Sequence, residues 1–202
     1  MTFQKLNIRD EKLFDAIATE SIKKMDGFNP QELSNVAMTF QELNIRNVKL
    51  FDAIARESLK KIDEFIPQNL SNTAMAYQKM DIHAPELFDA IASESLQRID
   101  KFHPQALSHM AMAYQEMEVP HLFDALVNET IKKIKTFKKV DFIMMADALD
   151  ISGFQLNNEQ SEQLQPYFEN IQAVPGAGPI HRLFIADEFT SEFGDLMISN
   201  HH

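Results

Sequence analysis

Apolar residues recur along this chain first with the spacing of a helix and then with the spacing of a repeat. From residue 50 to residue 65, Leu50, Phe51, Ile54, Ala55, Leu59, Ile62 and Phe65 fall on one half of a helical wheel, with Asp52, Arg56, Lys60 and Asp63 opposite. An amphipathic helix is expected there. Its opening run, Leu50 to Ile54, also stands at Leu13 to Ile17 and at Leu87 to Ile91, 37 residues away on either side, and returns as Leu122 to Leu126 after a further 35. A second block keeps the same register: Asn29 to Asn35, Ile66 to Asn72 and His103 to His109 each carry Pro-Gln near the start and Leu-Ser before the last residue. Such a period marks an array of stacked supersecondary units.

The second block reads as the start of a second helix. Proline suits a first helical turn because its missing N–H has no intrahelical partner to lose, and Asn29 with Glu32 has the spacing of an N-cap and its N3 partner. The buried face expected for this helix is Leu70, Thr73, Ala74, Tyr77 and Met80, with small residues at Ala37, Ala74 and Ala111 letting neighbouring helices approach. Pro85 and Pro120 mark further helix starts. The predicted fold class is therefore all-α, an α-solenoid of helix-turn-helix repeats of about 37 residues each, with a C-terminal helical cap and acidic tail.

Residues 1–152 are expected to form the array and residues 153–202 the cap helix and tail. The fourth copy is degenerate: Phe137 to Leu149 keeps helical spacing, but Lys139 replaces the proline, so residues 140–172 are expected to cap the stack. A helix from about Glu159 to Ile171 is predicted. Met1 to Gln4 aligns with Met38 to Gln41, halfway along a second helix, so the first repeat reads as truncated. Either the chain is a fragment of a longer array, or that open face is covered by another copy or another protein. Pro175 to Pro179 reads as a linker, and residues 180–202 as a weakly ordered acidic tail with a short amphipathic segment from Leu183 to Phe189.

Composition narrows the chemistry. With 45% hydrophobic residues in 202, the chain can bury a sizeable core, and the lack of cysteine removes disulfides, thiolate metal sites and cysteine nucleophiles. No apolar run approaches the roughly 20 residues needed to cross a bilayer, and no signal or targeting segment is visible. An intracellular protein without a membrane partner is the expectation. The net charge of −11 is uneven: residues 1–139 hold 18 Lys and Arg against 20 Asp and Glu, whereas residues 140–202 hold Arg182 against ten acids. The repeats are nearly neutral and the end is acidic.

Pro175 to Pro179 lacks the Gly-Lys-Ser or Gly-Lys-Thr of a phosphate loop. The seven histidines, His83, His103, His109, His121, His181, His201 and His202, show no metal-binding spacing. Carboxylates recur at helix-surface positions, as solvated faces do. No catalytic, cofactor or metal site is expected, and the chain reads as a non-enzymatic binding module.

Another feature departs from simple amphipathicity. Met38, Met75 and Met112 fall among polar residues of the second helices, beside Gln31 and Asn35, then Gln68, Asn72 and Lys79, then Gln105 and His109. Stacking would align these into rows. Side-chain amides offer donors and acceptors to base edges or peptide groups, and methionine an adaptable apolar contact. The alternative is that the methionines wedge between repeats while the amides satisfy helix ends or hairpin backbone.

The blocks Pro30 to Phe40, Pro67 to Tyr77 and Pro104 to Tyr114, each followed by a Leu-Phe-Asp-Ala helix, resemble the octotricopeptide and heptatricopeptide repeats of organelle proteins. The resemblance covers roughly residues 1–150. It implies sequence-selective binding of single-stranded RNA in a chloroplast or mitochondrion. Where such repeats usually carry tryptophan between two alanines this chain has Met38, Met75 and Met112, so the stacking platform is missing there. In the RNA reading, second-helix amides face bases and the lysine pairs Lys23–Lys24, Lys60–Lys61 and Lys132–Lys133 touch phosphates. The alternative is a protein-interaction scaffold, using the repeat groove or self-association through the uncapped N-terminal repeat. The acidic tail could then compete with RNA for the groove.

Overall fold

A computed structural model describes residues 11–172. Residues 1–10 and 173–202, with the truncated first repeat, the linker and the acidic tail expected in them, lie outside the described residues. The described chain is helical, without a strand: α1 (Glu11–Lys23), α2 (Pro30–Glu42), α3 (Val48–Lys60), α4 (Pro67–Lys79), α5 (Pro85–Gln97), α6 (Pro104–Tyr114), α7 (Pro120–Lys133), α8 (Lys139–Ser152) and α9 (Asn158–Gln172). Short 3₁₀ turns at Met25–Gly27, Ile62–Glu64, Ile99–Lys101 and Ile134–Thr136 join each first helix to its second.

Local chemistry explains the boundaries. The expected capping box forms at α2: the Glu32 amide donates to Asn29 Oδ1 and the Asn29 amide to Glu32 Oε2, both at 2.9 Å. Prolines open α2, α4, α5, α6 and α7. Just beyond α2 and α4, Asn44 and Asp81 take positive φ values of 53° and 51°, a conformation that Asn and Asp tolerate because their short polar side chains bond locally.

The helices form two layers. The second helices α2, α4, α6 and α8 pack side by side, and the first helices α1, α3, α5 and α7 cover them on one face. Ala37, Ala74 and Ala111 are buried between neighbours, as expected, and so are Ser34, Ser71 and Ser108. Ser108 Oγ donates to the Asp141 carbonyl of α8 at 2.6 Å, a contact that a longer side chain would push apart. Leu33, Phe40, Leu70, Tyr77, Leu107 and Tyr114 are buried in one continuous core; a fully buried Leu or Phe contributes about 1.5–3 kcal/mol. The predicted buried face of α4 is buried in full, but Leu59, placed by periodicity on the apolar side of α3, is exposed.

At the C-terminal end of the described residues, α8 and α9 occupy the stretch expected to cap the stack. α8 is a complete fourth second helix packed on α6, and only α9 lies beyond it, against α7 and α8, with Leu164 and Phe168 buried. α9 occupies the layer of the first helices. No further second helix follows among the described residues, and none of them packs on the outer edge of α8 as α6 packs on its inner edge.

Candidate nucleic-acid interface

α4 and α6 each contact a second helix on both flanks and a first helix beneath, which leaves a narrow stripe of each on the remaining side. On α4 that stripe is Gln68, Asn72, Met75 and Lys79, at helical spacings of four, three and four. Gln31, Gln68 and Gln105 are exposed, as are Asn35 and Lys79. Asn72 and His109 are half-buried and meet: His109 Nδ1 lies 3.4 Å from Asn72 Oδ1, across two helices. Residues in the same register on neighbouring second helices are therefore within reach of one another.

The methionines are divided. Met75 is only 2% exposed and lies within the packing, whereas Met38 and Met112 are half-buried against the core. At Met75 this burial fits a wedge better than an open contact. The stripe continues on α8 as Val140, Met144, Asp147 and Ile151, which sequence comparison did not pick out because this copy had lost its Pro-Gln signature. Val140 and Ile151 are exposed, at 58% and 55%.

Charge on the stripe is sparse. Lys79 stands between the equivalent Glu42 and Glu116, and on α8 Asp147 takes the position that methionine holds on the other three second helices. Burial pushes the Asp147 carboxyl above the ordinary carboxylate range, with Asp150 adding to the effect. Burial, with Lys79 helping, holds the His109 imidazole below the ordinary histidine value, against Asp141. The stripe thus offers amides, an imidazole and thioethers, with little to neutralise phosphate.

In two of the lysine pairs, the second lysine is engaged within the protein. Lys61 Nζ donates to the Asp26 and Phe28 carbonyls of the preceding 3₁₀ turn, at 2.9 and 2.7 Å, and Lys133 Nζ to the Asp100 and Phe102 carbonyls at 2.5 and 2.7 Å. Each also pairs with a buried glutamate, Glu57 or Glu129, at 2.9 Å. These lysines clamp one repeat to the one before. Lys60 and Lys132 bond to the same glutamates but stay exposed, and at the third copy Arg98 pairs with Glu94 at 2.6 Å. The i, i+4 glutamate-to-base spacing, repeated in every copy, was the signal that could have revealed the clamp.

Among the described residues, no helix is long and apolar enough to cross a membrane, and no group of three or more His, Asp or Glu could hold a metal. No curated protein matches the chain. The family model of the RNA-editing substrate-binding complex 6 protein matches residues 1–170, and the chain belongs to that family.

Proposed function

We propose that this member of the RNA-editing substrate-binding complex 6 family is a non-catalytic helical-repeat module that holds single-stranded RNA within a larger assembly of RNA and protein. The observation that carries this reading is the family match, which spans the whole described array. The polar stripe supports it. Gln31, Asn35, Gln68, Asn72, Gln105 and His109 present donors and acceptors in register on adjacent helices, an arrangement suited to the edges of unpaired bases, with Met38, Met75, Met112 and Lys79 beside them. The octotricopeptide type of repeat is the finer part of this reading and rests on the resemblance of the repeat blocks alone. Editing complexes of this kind are mitochondrial, so the mitochondrion is the proposed compartment and the chloroplast has no support.

Fluorescence anisotropy of the full chain with a labelled single-stranded RNA at two salt concentrations tests the reading. Binding that weakens as salt rises is expected, and no binding at low salt overturns it.

A second reading has its own observation. The α8 end of the stripe turns apolar at Val140 and Ile151, beside half-buried Ile143 and Met144, where no further second helix among the described residues covers them. An exposed apolar edge suits a protein partner in the same assembly.

A further inference from the structure

The fourth 3₁₀ connector is unlike the other three in charge, and unlike the first and third in cover. Along the copies, Asp26, Asp63 and Asp100 occupy one position, and Lys135 takes it in the fourth; Asn29, Ile66 and His103 are followed by proline, where the fourth copy has Lys138 and Lys139. The first and third connectors have their carbonyls clamped by Lys61 and Lys133 of the next repeat. Beyond the fourth there is no next repeat to supply such a lysine among the described residues. A cleft of about 450 Å³ stands open there, lined by Lys135, Phe137, Lys138, Lys139, Phe142 and Tyr167, with Ile134 and Asn170 completing the wall.

The lining has two chemistries. The three lysine side chains are exposed, and none forms an ion pair with an acid among the described residues, unlike Lys60, Lys61, Lys132 and Lys133. The aromatic rings form a braced group: Phe142 lies 6.2 Å from Phe137, 5.8 Å from Tyr167 and 5.4 Å from Phe168, ring centre to ring centre. Phe142 and Phe168 are buried and hold the cluster, while Phe137 and Tyr167 remain half-exposed toward the opening. The repeats are nearly neutral, so three cations on one short connector, without an acid partner among the described residues, form a distinct electrostatic feature.

The geometry points to this cleft as a nucleotide-binding site for single-stranded RNA, with a base stacked on Tyr167 and Phe137 and the adjoining phosphates held by Lys135, Lys138 and Lys139. A half-exposed ring takes any base face, and ammonium groups at the rim neutralise phosphate without reading sequence. This supplies what the stripe on the second helices lacks, namely charge and an aromatic platform. An acidic peptide would satisfy the lysines but leave the rings without a planar partner. The assignment rests on the RNA reading above for the class of polymer; the position of the site rests on the cleft.

The test compares the full chain with a combined variant, Lys135→Gln, Lys138→Gln and Lys139→Gln, a variant that removes the ring but stays apolar, Tyr167→Leu, and a stripe variant Gln68→Ala with Gln105→Ala. The probe is a labelled oligouridylate of about fifteen nucleotides, read by anisotropy across a salt series. The lysine variant is expected to lose about tenfold or more in affinity and to flatten the salt slope by about 2, the value for three phosphate contacts on a single strand. Tyr167→Leu is expected to lose about tenfold, as removal of one stacking platform does, with its thermal unfolding unchanged. Wild-type affinity in the lysine variant overturns the cleft and leaves the RNA reading standing. Loss in the lysine variant with full binding by Tyr167→Leu, and equal competition by oligoglutamate, overturns the nucleotide assignment in favour of an acidic peptide. Absence of oligouridylate binding by the unaltered chain at low salt overturns both.

Discussion

The interior pairs α3–α4 and α5–α6 are each locked by a buried phenol, and the pair at the C-terminal end, α7–α8, is not. Tyr77 Oη donates to the Phe51 carbonyl at 2.5 Å, and Tyr114 Oη to the Phe88 carbonyl at 2.6 Å, with the rings edge to face at 4.9 and 5.2 Å. Burial raises the pKa of both phenols, so they stay neutral donors. In α7–α8 the matching positions hold Phe123 and Leu149, and Phe123 stacks instead on Phe154, 5.8 Å away in the loop beyond α8. Gln160 of α9 adds a polar stitch, donating to Asp124 at 2.9 Å and Asn128 at 2.8 Å. An interior pair is compressed by neighbours on both sides, so a tyrosine between its own helices stays dry and its hydroxyl finds backbone. A pair at the end lacks one neighbour and borrows its cover from the segment that follows.

The largest expected effect separates these two designs. Tyr114→Ala should destabilise by about 3–5 kcal/mol, through a cavity that neighbours on both sides prevent from collapsing, whereas Leu149→Ala should lose about 2–3 kcal/mol because the end can relax. Urea unfolding of both variants checks this, and a greater loss at Leu149 would reverse the comparison.

Next in size is the clamp between repeats. Lys133→Met removes bonds to two carbonyls and leaves Glu129, whose side chain is 4% exposed, with one cation; the expected loss is about 1–2 kcal/mol. Lys132→Met, at a side chain 68% exposed, should stay within about 0.5 kcal/mol. Thermal unfolding of the two side by side measures the difference, and equal losses would show that the clamp adds nothing beyond an ordinary surface pair.

The smallest effect is in pH. Hydrogen bonds from Lys60 and Lys61 hold the Glu57 carboxyl below the ordinary carboxylate range, outweighing desolvation. At Glu129 desolvation is the largest influence and pushes upward, but the bonds from Lys133 and Lys132, with their charges, together prevail and the net direction is down. A carboxyl whose folded pKa is depressed lends stability that is present above its unfolded value, about 4.3, and lost as pH falls through the folded value. Glu57→Gln should therefore flatten the acid limb of stability against pH below about 4.5, with little change in shape near neutrality. Unfolding midpoints between pH 3 and 7 decide it; an unaltered acid limb would mean that the glutamate makes no folded-state difference.

Much of the architecture was legible because it depends on local spacing repeated many times. The helix starts at Pro30, Pro67, Pro85, Pro104 and Pro120, the Asn29–Glu32 box, and the buried Leu70, Thr73, Ala74, Tyr77 and Met80 all follow from rules that act within one or two turns. α9, expected from about Glu159 to Ile171, spans Asn158–Gln172. The misses have one cause. Leu59 lies on the apolar half of its own wheel yet faces solvent, and Glu57, on no apolar stripe, is 5% exposed, because what covers a residue in a stack is the adjacent repeat. The same holds for Lys61 and Lys133, which read as solvated charges until the preceding turn's carbonyls stand before them.

The amino-acid order alone determined that paired helices form, where each begins, and which side of each is apolar, since propensity, capping and periodicity act over a few residues. Only the stacking of pairs decided which polar side chains remain free. Met75 is enclosed while Met38 and Met112 are half-open, one lysine of a pair is a clamp while its neighbour is exposed, and the fourth connector gathers cations and rings around an open cleft. Burial and electrostatic pairing are set by groups some 30 residues apart in the chain, and no short-range rule contains that distance.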